Sequence, residues 1–142
     1  MATAEKHIII NAPPEKIWDL VKDPTKWHTW FVGAAAPKSV QGDGGVGTVV
    51  ETGMTVANIP MPAKITVVEA VHPVRWKGDF TSPASEGYQL WMYEKVDGGT
   101  KLTFRIEANL SGPAKLAEGL VIKSFEQMAD KTLTNVKALA EA

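Results

Sequence analysis

The sequence predicts an α+β domain in which a first strand and two short N-terminal helices are followed by six more strands of a curved seven-stranded antiparallel sheet, and the sheet wraps around a long C-terminal helix. Three observations carry this expectation. The apolar period is helical soon after an opening β-branched run, changes to short alternating segments from Pro37, and returns to helical spacing after Ser111, Gly112 and Pro113. At 142 residues the chain can bury one sizeable core and not two comfortable ones. Neither a repeat nor a low-complexity tract divides it, so residues 1–142 are expected to form a single domain.

The first strand is expected at residues 6–11, KHIIIN, short and β-branched and stopped by Pro13 and Pro14. A helix comes next, because Pro14 suits the first helical position, Glu15 favours the positive N-terminus, and Ile17, Leu20 and Val21 repeat at helical spacing. Pro24 ends it. TKWHTWF then predicts a short second helix that brings Trp27, Trp30 and Phe31 onto the core. Further strands are expected at 38–41, 47–56, 63–71, 75–81, 87–96 and 100–110, rich in Val, Thr, Ile and aromatics and separated by glycine, proline and Asp-Gly signals. Asp97, Gly98 and Gly99 mark the clearest hairpin. The last segment predicts one helix from Pro113 to Glu141, with Val121, Phe125, Met128, Thr132, Val136 and Leu139 in one stripe about 44 Å long at 1.5 Å per residue.

Composition narrows the partners. The formal charge is −1 with both signs mixed, so no basic field attracts nucleic acid or an anionic membrane. Cysteine is absent, which excludes disulfide and thiolate chemistry. The N-terminus lacks a signal-peptide pattern and no apolar run approaches spanning length, so a cytoplasmic protein without integral membrane association is expected. His7, His28 and His72 are not spaced as a metal cluster, and neither metal nor cofactor is expected.

Residues 42–47, GDGGVG, satisfy the GxGxxG pattern of nucleotide-binding loops. That pattern needs a helix N-terminus after the glycines to receive the anion. The next residues are instead TVVETGMTV, β-branched and without a helical stripe. The segment therefore reads as a glycine-rich turn between strands.

Several motifs add a family resemblance. NAPPEKIWDLVKDP with Trp27 and Trp30, then VVEAVHP, then DGGTKLTF, stand in the order found in the START-like superfamily called SRPBCC, which includes polyketide cyclase/dehydrase-like proteins and Bet v 1 allergens. GDGGVG also resembles a hairpin connection beside the cavity mouth in the Bet v 1 group. The resemblance spans nearly the whole chain and implies a helix-grip fold, with a pocket for a small hydrophobic, aromatic or lipid-like ligand between sheet and C-terminal helix.

Alternation puts Leu102, Phe104, Ile106 and Ala108 on one face of the last strand, with Thr103, Arg105 and Glu107 on the other. The same rule turns Trp76, Gly78, Phe80, Ile65 and Val67 inward. Two strands are ambiguous. Family register implies Val50, Thr52, Met54 and Val56 inward in one, and Gln89, Trp91 and Tyr93 inward in the other. Tyr88, Leu90 and Met92 then form an exposed patch, which suggests a homodimer. The implied lining is Trp27, Trp30, Val50, Thr52, Met54, Ile65, Val67, Trp76, Phe80, Gln89, Trp91, Tyr93, Phe104, Ile106, Val121, Phe125 and Met128.

This lining is nearly free of titratable groups, whereas general acid/base catalysis needs one within hydrogen-bond reach. The candidates for proton transfer are His28 and Tyr93, set against the ordinary readings of an exposed histidine and a packed strand tyrosine. Gln89 and Tyr93 are also candidates to hydrogen-bond a ligand carbonyl or hydroxyl. Ser124 and Thr132 lack an adjacent base. Binding of a hydrophobic molecule is the leading expectation. A polyketide cyclase/dehydrase-like enzyme is the alternative, weakened by the outward Arg75 and Arg105, and an interaction or toxin-type protein of the same superfamily is the second alternative.

Overall fold

The computed structural model describes all residues, 1–142. Its strands are β1 (Ala2–Ile10), β2 (Ser39–Gln41), β3 (Val49–Val56), β4 (Ile59–Val71), β5 (Arg75–Ser82), β6 (Ser85–Val96) and β7 (Gly99–Leu110). Helix α1 (Pro14–Val21) and a 3-10 helix (Pro24–Thr29) lie between β1 and β2, and α2 (Pro113–Leu116) and α3 (Glu118–Glu141) close the chain. The seven strands form one antiparallel sheet in the order β1-β7-β6-β5-β4-β3-β2.

Three differences from the sequence expectation go beyond a shift of one or two residues. β1 begins at Ala2 rather than Lys6, because pairing of Ala2 with Ala108 and Ala4 with Ile106 extends a strand that alanine does not announce by propensity. β4 begins at Ile59 despite Pro60 and Pro62. Pairing with β5 starts only at Lys64, so these prolines occupy an edge. The β3–β4 hairpin turns through Ala57 and Asn58, both at positive φ. The expected single terminal helix is broken at Ala117 (φ −105°, ψ 25°), so Pro113–Leu116 form a separate turn with Leu116 exposed.

Small residues bring α3 onto the sheet. Ala2, Ala108, Ala129 and Ala140 are fully buried, and Val121, Phe125, Met128, Thr132, Leu133 and Val136 fill the same face. The stripe ends on Ala140 instead of Leu139, which is exposed, as the 3.6-residue period drifts away from a spacing of three and four. In α1 the buried set is Pro14, Ile17, Trp18 and Val21, and the expected Leu20 is exposed.

The outer face of β6 also departs from expectation. Leu90 is buried, while Tyr88 and Met92 are half-buried, so no open apolar patch forms. Tyr88 donates to Glu107 at 2.8 Å and accepts from Arg105 Nε at 3.1 Å, and Lys77 Nζ stands 4.6 Å from its ring centroid. Charged side chains thus cover the carbon surface that alternation leaves outside.

Candidate functional site: a tryptophan-lined cavity

A cavity of about 210 Å³ lies between the inner face of β3–β6 and the N-terminal helical segment, and all five tryptophans of the chain line it. Each is placed by identifiable local structure. The Asp23 carboxylate accepts from the Thr25 amide at 3.0 Å and its hydroxyl at 2.7 Å, which starts the 3-10 helix and holds that carboxyl below the usual range. Trp27 Nε1 donates to the Val21 carbonyl at 3.0 Å, tying the ring to the end of α1. Behind Trp30, Asn135 Nδ2 donates to its carbonyl at 3.1 Å, and Thr132 Oγ1 accepts the Val32 amide at 3.0 Å. These α3 contacts anchor the segment that carries the aromatic rings.

From the sheet side, Trp76 meets Trp27 edge to face at 5.5 Å, and Trp91 meets Trp30 at 5.7 Å. The register of β4 slips between Val67 and Glu69. Ile65 and Val67 face inward before this bulge, and after it the inward position passes to Ala70, which pairs with Trp76 and lines the cavity. A small side chain there leaves space beside the indole.

Of the expected lining, Trp27, Trp30, Val50, Thr52, Met54, Ile65, Trp76, Gln89 and Trp91 meet around this cavity. Phe80, Val121 and Phe125 line a second cavity of about 350 Å³, between the β3–β4 and β5–β6 ends and the α2–α3 junction, with Met54 on both walls. The tryptophan cavity touches no residue of α3, whereas the second one does. Val67, Tyr93, Phe104, Ile106 and Met128 are buried and line neither. Phe104, for example, is closed off by Phe31 at 5.8 Å and Trp91 at 4.6 Å.

Trp18, Val21, Phe31 and Ala70 line the tryptophan cavity although sequence reasoning does not place them there. The spacing of Ile17, Trp18 and Val21 on one helical face is the available signal for the first two. Ala70 has none, since a bulge reverses the parity of its strand.

The site's polar groups are few. Lys22 and Asp43 stand at the mouth with Gly44 and Gly45. His28 is exposed and is not part of the lining. Tyr93 packs under Trp18 at 5.3 Å, and burial pushes its phenol well above the ordinary value, so it is neutral and no base at physiological pH. No group of three or more His, Asp or Glu is placed to hold a metal ion.

Three of the six amides of GDGGVG, and that of the following Thr48, are already used. Gly44 donates to Thr48 Oγ1 at 2.9 Å, Gly45 to Asp43 Oδ1 at 2.9 Å, Gly47 to the Val67 carbonyl at 2.8 Å, and Thr48 to the Gly45 carbonyl at 3.1 Å. With these amides engaged and strand β3 rather than a helix following, the loop is a rim rather than a phosphate cradle. At Gly44 (φ +101°) a Cβ would stand 2.8 Å from the Lys22 carbonyl oxygen, so glycine lets the rim close against the end of α1.

A curved antiparallel sheet gripping a terminal helix, with an apolar cavity inside, defines a helix-grip protein of the START-like class. Residues 1–141 match the family described as polyketide cyclase/dehydrase and lipid transport, and the chain belongs to that family. No curated protein matches the sequence. Among solved structures, the ZhuI aromatase/cyclase from Streptomyces sp. R1128 is similar at 17% identity and TM-score 0.78, covering 98% of this chain and 93% of its own. A START superfamily protein from Mycobacterium smegmatis is similar at 13% identity and TM-score 0.77, with coverage of 98% and 99%. The protein Ara h 8.0201 is similar at 16% identity and TM-score 0.73, with coverage of 97% and 96%. At these identities the likeness is one of fold.

Proposed function

We propose that the protein binds a small hydrophobic, aromatic or lipid-like molecule in the tryptophan cavity. The observation that carries this reading is the convergence of Trp18, Trp27, Trp30, Trp76 and Trp91 on one void. Left dry, a void of this size would cost on the order of 5 kcal/mol, at about 24 cal/mol per Å³. That is a large part of a domain's usual stability of roughly 5–15 kcal/mol. A core built only for stability would close it.

The cyclase/dehydrase reading shares the cavity but needs a proton carrier in it. The interior supplies none, since, indoles apart, its side-chain polar groups are the Gln89 carboxamide and the Thr52 hydroxyl while Lys22 and Asp43 stand at the mouth, which favours binding over turnover. A cytoplasmic location goes with the binding reading, and cell fractionation tests it. A homodimer through the outer face of β6 has lost the apolar patch that motivated it, and a monomeric mass in solution would retire it.

Native mass spectrometry of the purified protein for a co-purifying molecule is the direct test, with Trp76→Ala and Trp91→Ala as the variants to compare. Trp76 is half-buried, so its loss is expected to weaken retention with a modest stability cost. Trp91 is 4% exposed, and its loss is expected to cost roughly 3–5 kcal/mol as well. Unchanged retention in both variants would reduce the aromatic set to plain core.

A further inference from the structure

Five polar side chains are buried in this protein, and four of them are threonines bonded to the backbone. Thr48 accepts from Gly44, Thr52 donates to the Ala35 carbonyl, Thr100 donates to the Ala12 carbonyl, and Thr132 accepts from Val32. The fifth, Gln89, is 5% exposed, lines the tryptophan cavity, and its carboxamide bonds to no protein group. Its polar atoms are not sealed in protein, so their partners must come from whatever fills the cavity, and a filler that offers none leaves the carboxamide stripped of water. Trp30 Nε1 is unpartnered too, but it is shut off from accessible space, which leaves Gln89 as the polar group that a ligand can reach.

We infer that Gln89 is the specificity-determining residue of the cavity and selects a neutral planar ligand of one or two rings carrying a carbonyl or hydroxyl at its edge. This inference rests on the binding reading above. Size sets the first limit: at a packing density of about 0.74, the cavity of about 210 Å³ accepts roughly ten to twelve non-hydrogen atoms. Polarity sets the second. A pure hydrocarbon would strip water from the carboxamide and offer nothing in return, while a carbonyl accepts from its NH2 and a hydroxyl donates to its oxygen. Charge sets the third. The only charged lining residues, Lys22 and Asp43, are at the mouth, so a carboxylate drawn inside would be desolvated without a counter-charge.

The test is isothermal calorimetry on the intact chain with four compounds of one shape: 1-indanone, 5-indanol, indane and indane-2-carboxylate. Indanone or indanol is expected to bind at least about tenfold more tightly than indane, with the carboxylate weakest. Gln89→Met is expected to abolish that preference while indane binding is kept or improved. Should that variant fail to fold, the ranking on the unaltered chain still decides. Indane binding as tightly as both polar analogues, or the carboxylate binding best, overturns the inference and leaves the binding reading standing. Failure of all four compounds to bind up to millimolar concentration overturns the binding reading and the inference with it.

Discussion

The six-membered edge of the Trp76 indole lies over Gly78, two residues along the same face of β5. A Cβ built at Gly78 would stand 2.6 Å from Trp76 Cη2 and 3.0 Å from Ile65 Cγ2. The absent side chain is thus the seat of the ring. Gly78→Ala is expected to displace the indole from the cavity wall at a cost of about 1–3 kcal/mol by overpacking. Urea denaturation and a shift in tryptophan emission check it; unchanged emission would mean that the ring does not rest there.

Thr132 ties the 3-10 segment to α3 through the Val32 amide. Thr132→Val keeps the volume and strands that amide, so a loss of about 1–3 kcal/mol is expected in chemical denaturation. Because the same segment carries Trp27 and Trp30, ligand retention should fall with it. A neutral stability effect would show that water takes over the bond.

Glu107 tests the outer face. The Tyr88 hydroxyl first, and then Arg105, hold its carboxyl below the ordinary range. A folded-state value lowered in this way contributes stability above the unfolded pKa, and the contribution is lost as pH falls through the folded one. NMR titration is expected to give Glu107 a midpoint below a typical glutamate, and Tyr88→Phe is expected to raise it. A midpoint that ignores Tyr88 would remove the network.

Tyr93 makes the opposite prediction at alkaline pH. Burial raises its folded pKa above the ordinary value of about 10, so stability is undiminished below pH 10 and declines as pH rises beyond it. Tyr93→Phe is expected to flatten that decline in a denaturation series spanning roughly pH 9 to 11. In a Tyr88→Phe background, where Tyr93 is the only tyrosine, tyrosinate absorbance with a normal midpoint in the folded protein would count against it.

The segments with strong periodicity were legible in the sequence, and those governed by a partner were not. Phe104 and Ile106 declare an inner face by alternation, and Val121 through Val136 declare a helix stripe. The first residues of β1 and β4 declare nothing, because Ala2 and Pro60 join strands only through pairing with β7 and β3. For the site, alternation put Trp76 on the inner face and the family resemblance put Trp91 there, yet neither separated residues facing a void from residues facing each other. Whether Phe104 or Trp76 borders empty space depends on what approaches from the helical segment, which no single strand encodes.

Met54 closes one side of the tryptophan cavity and one side of the larger void beneath α2 and α3. An unbranched thioether with three rotatable bonds is the most pliable wall that a core can have. A change of its rotamer would therefore trade volume between the aromatic chamber and the aliphatic one. The capacity of the grip is in this sense adjustable by a single side chain, without any movement of the sheet.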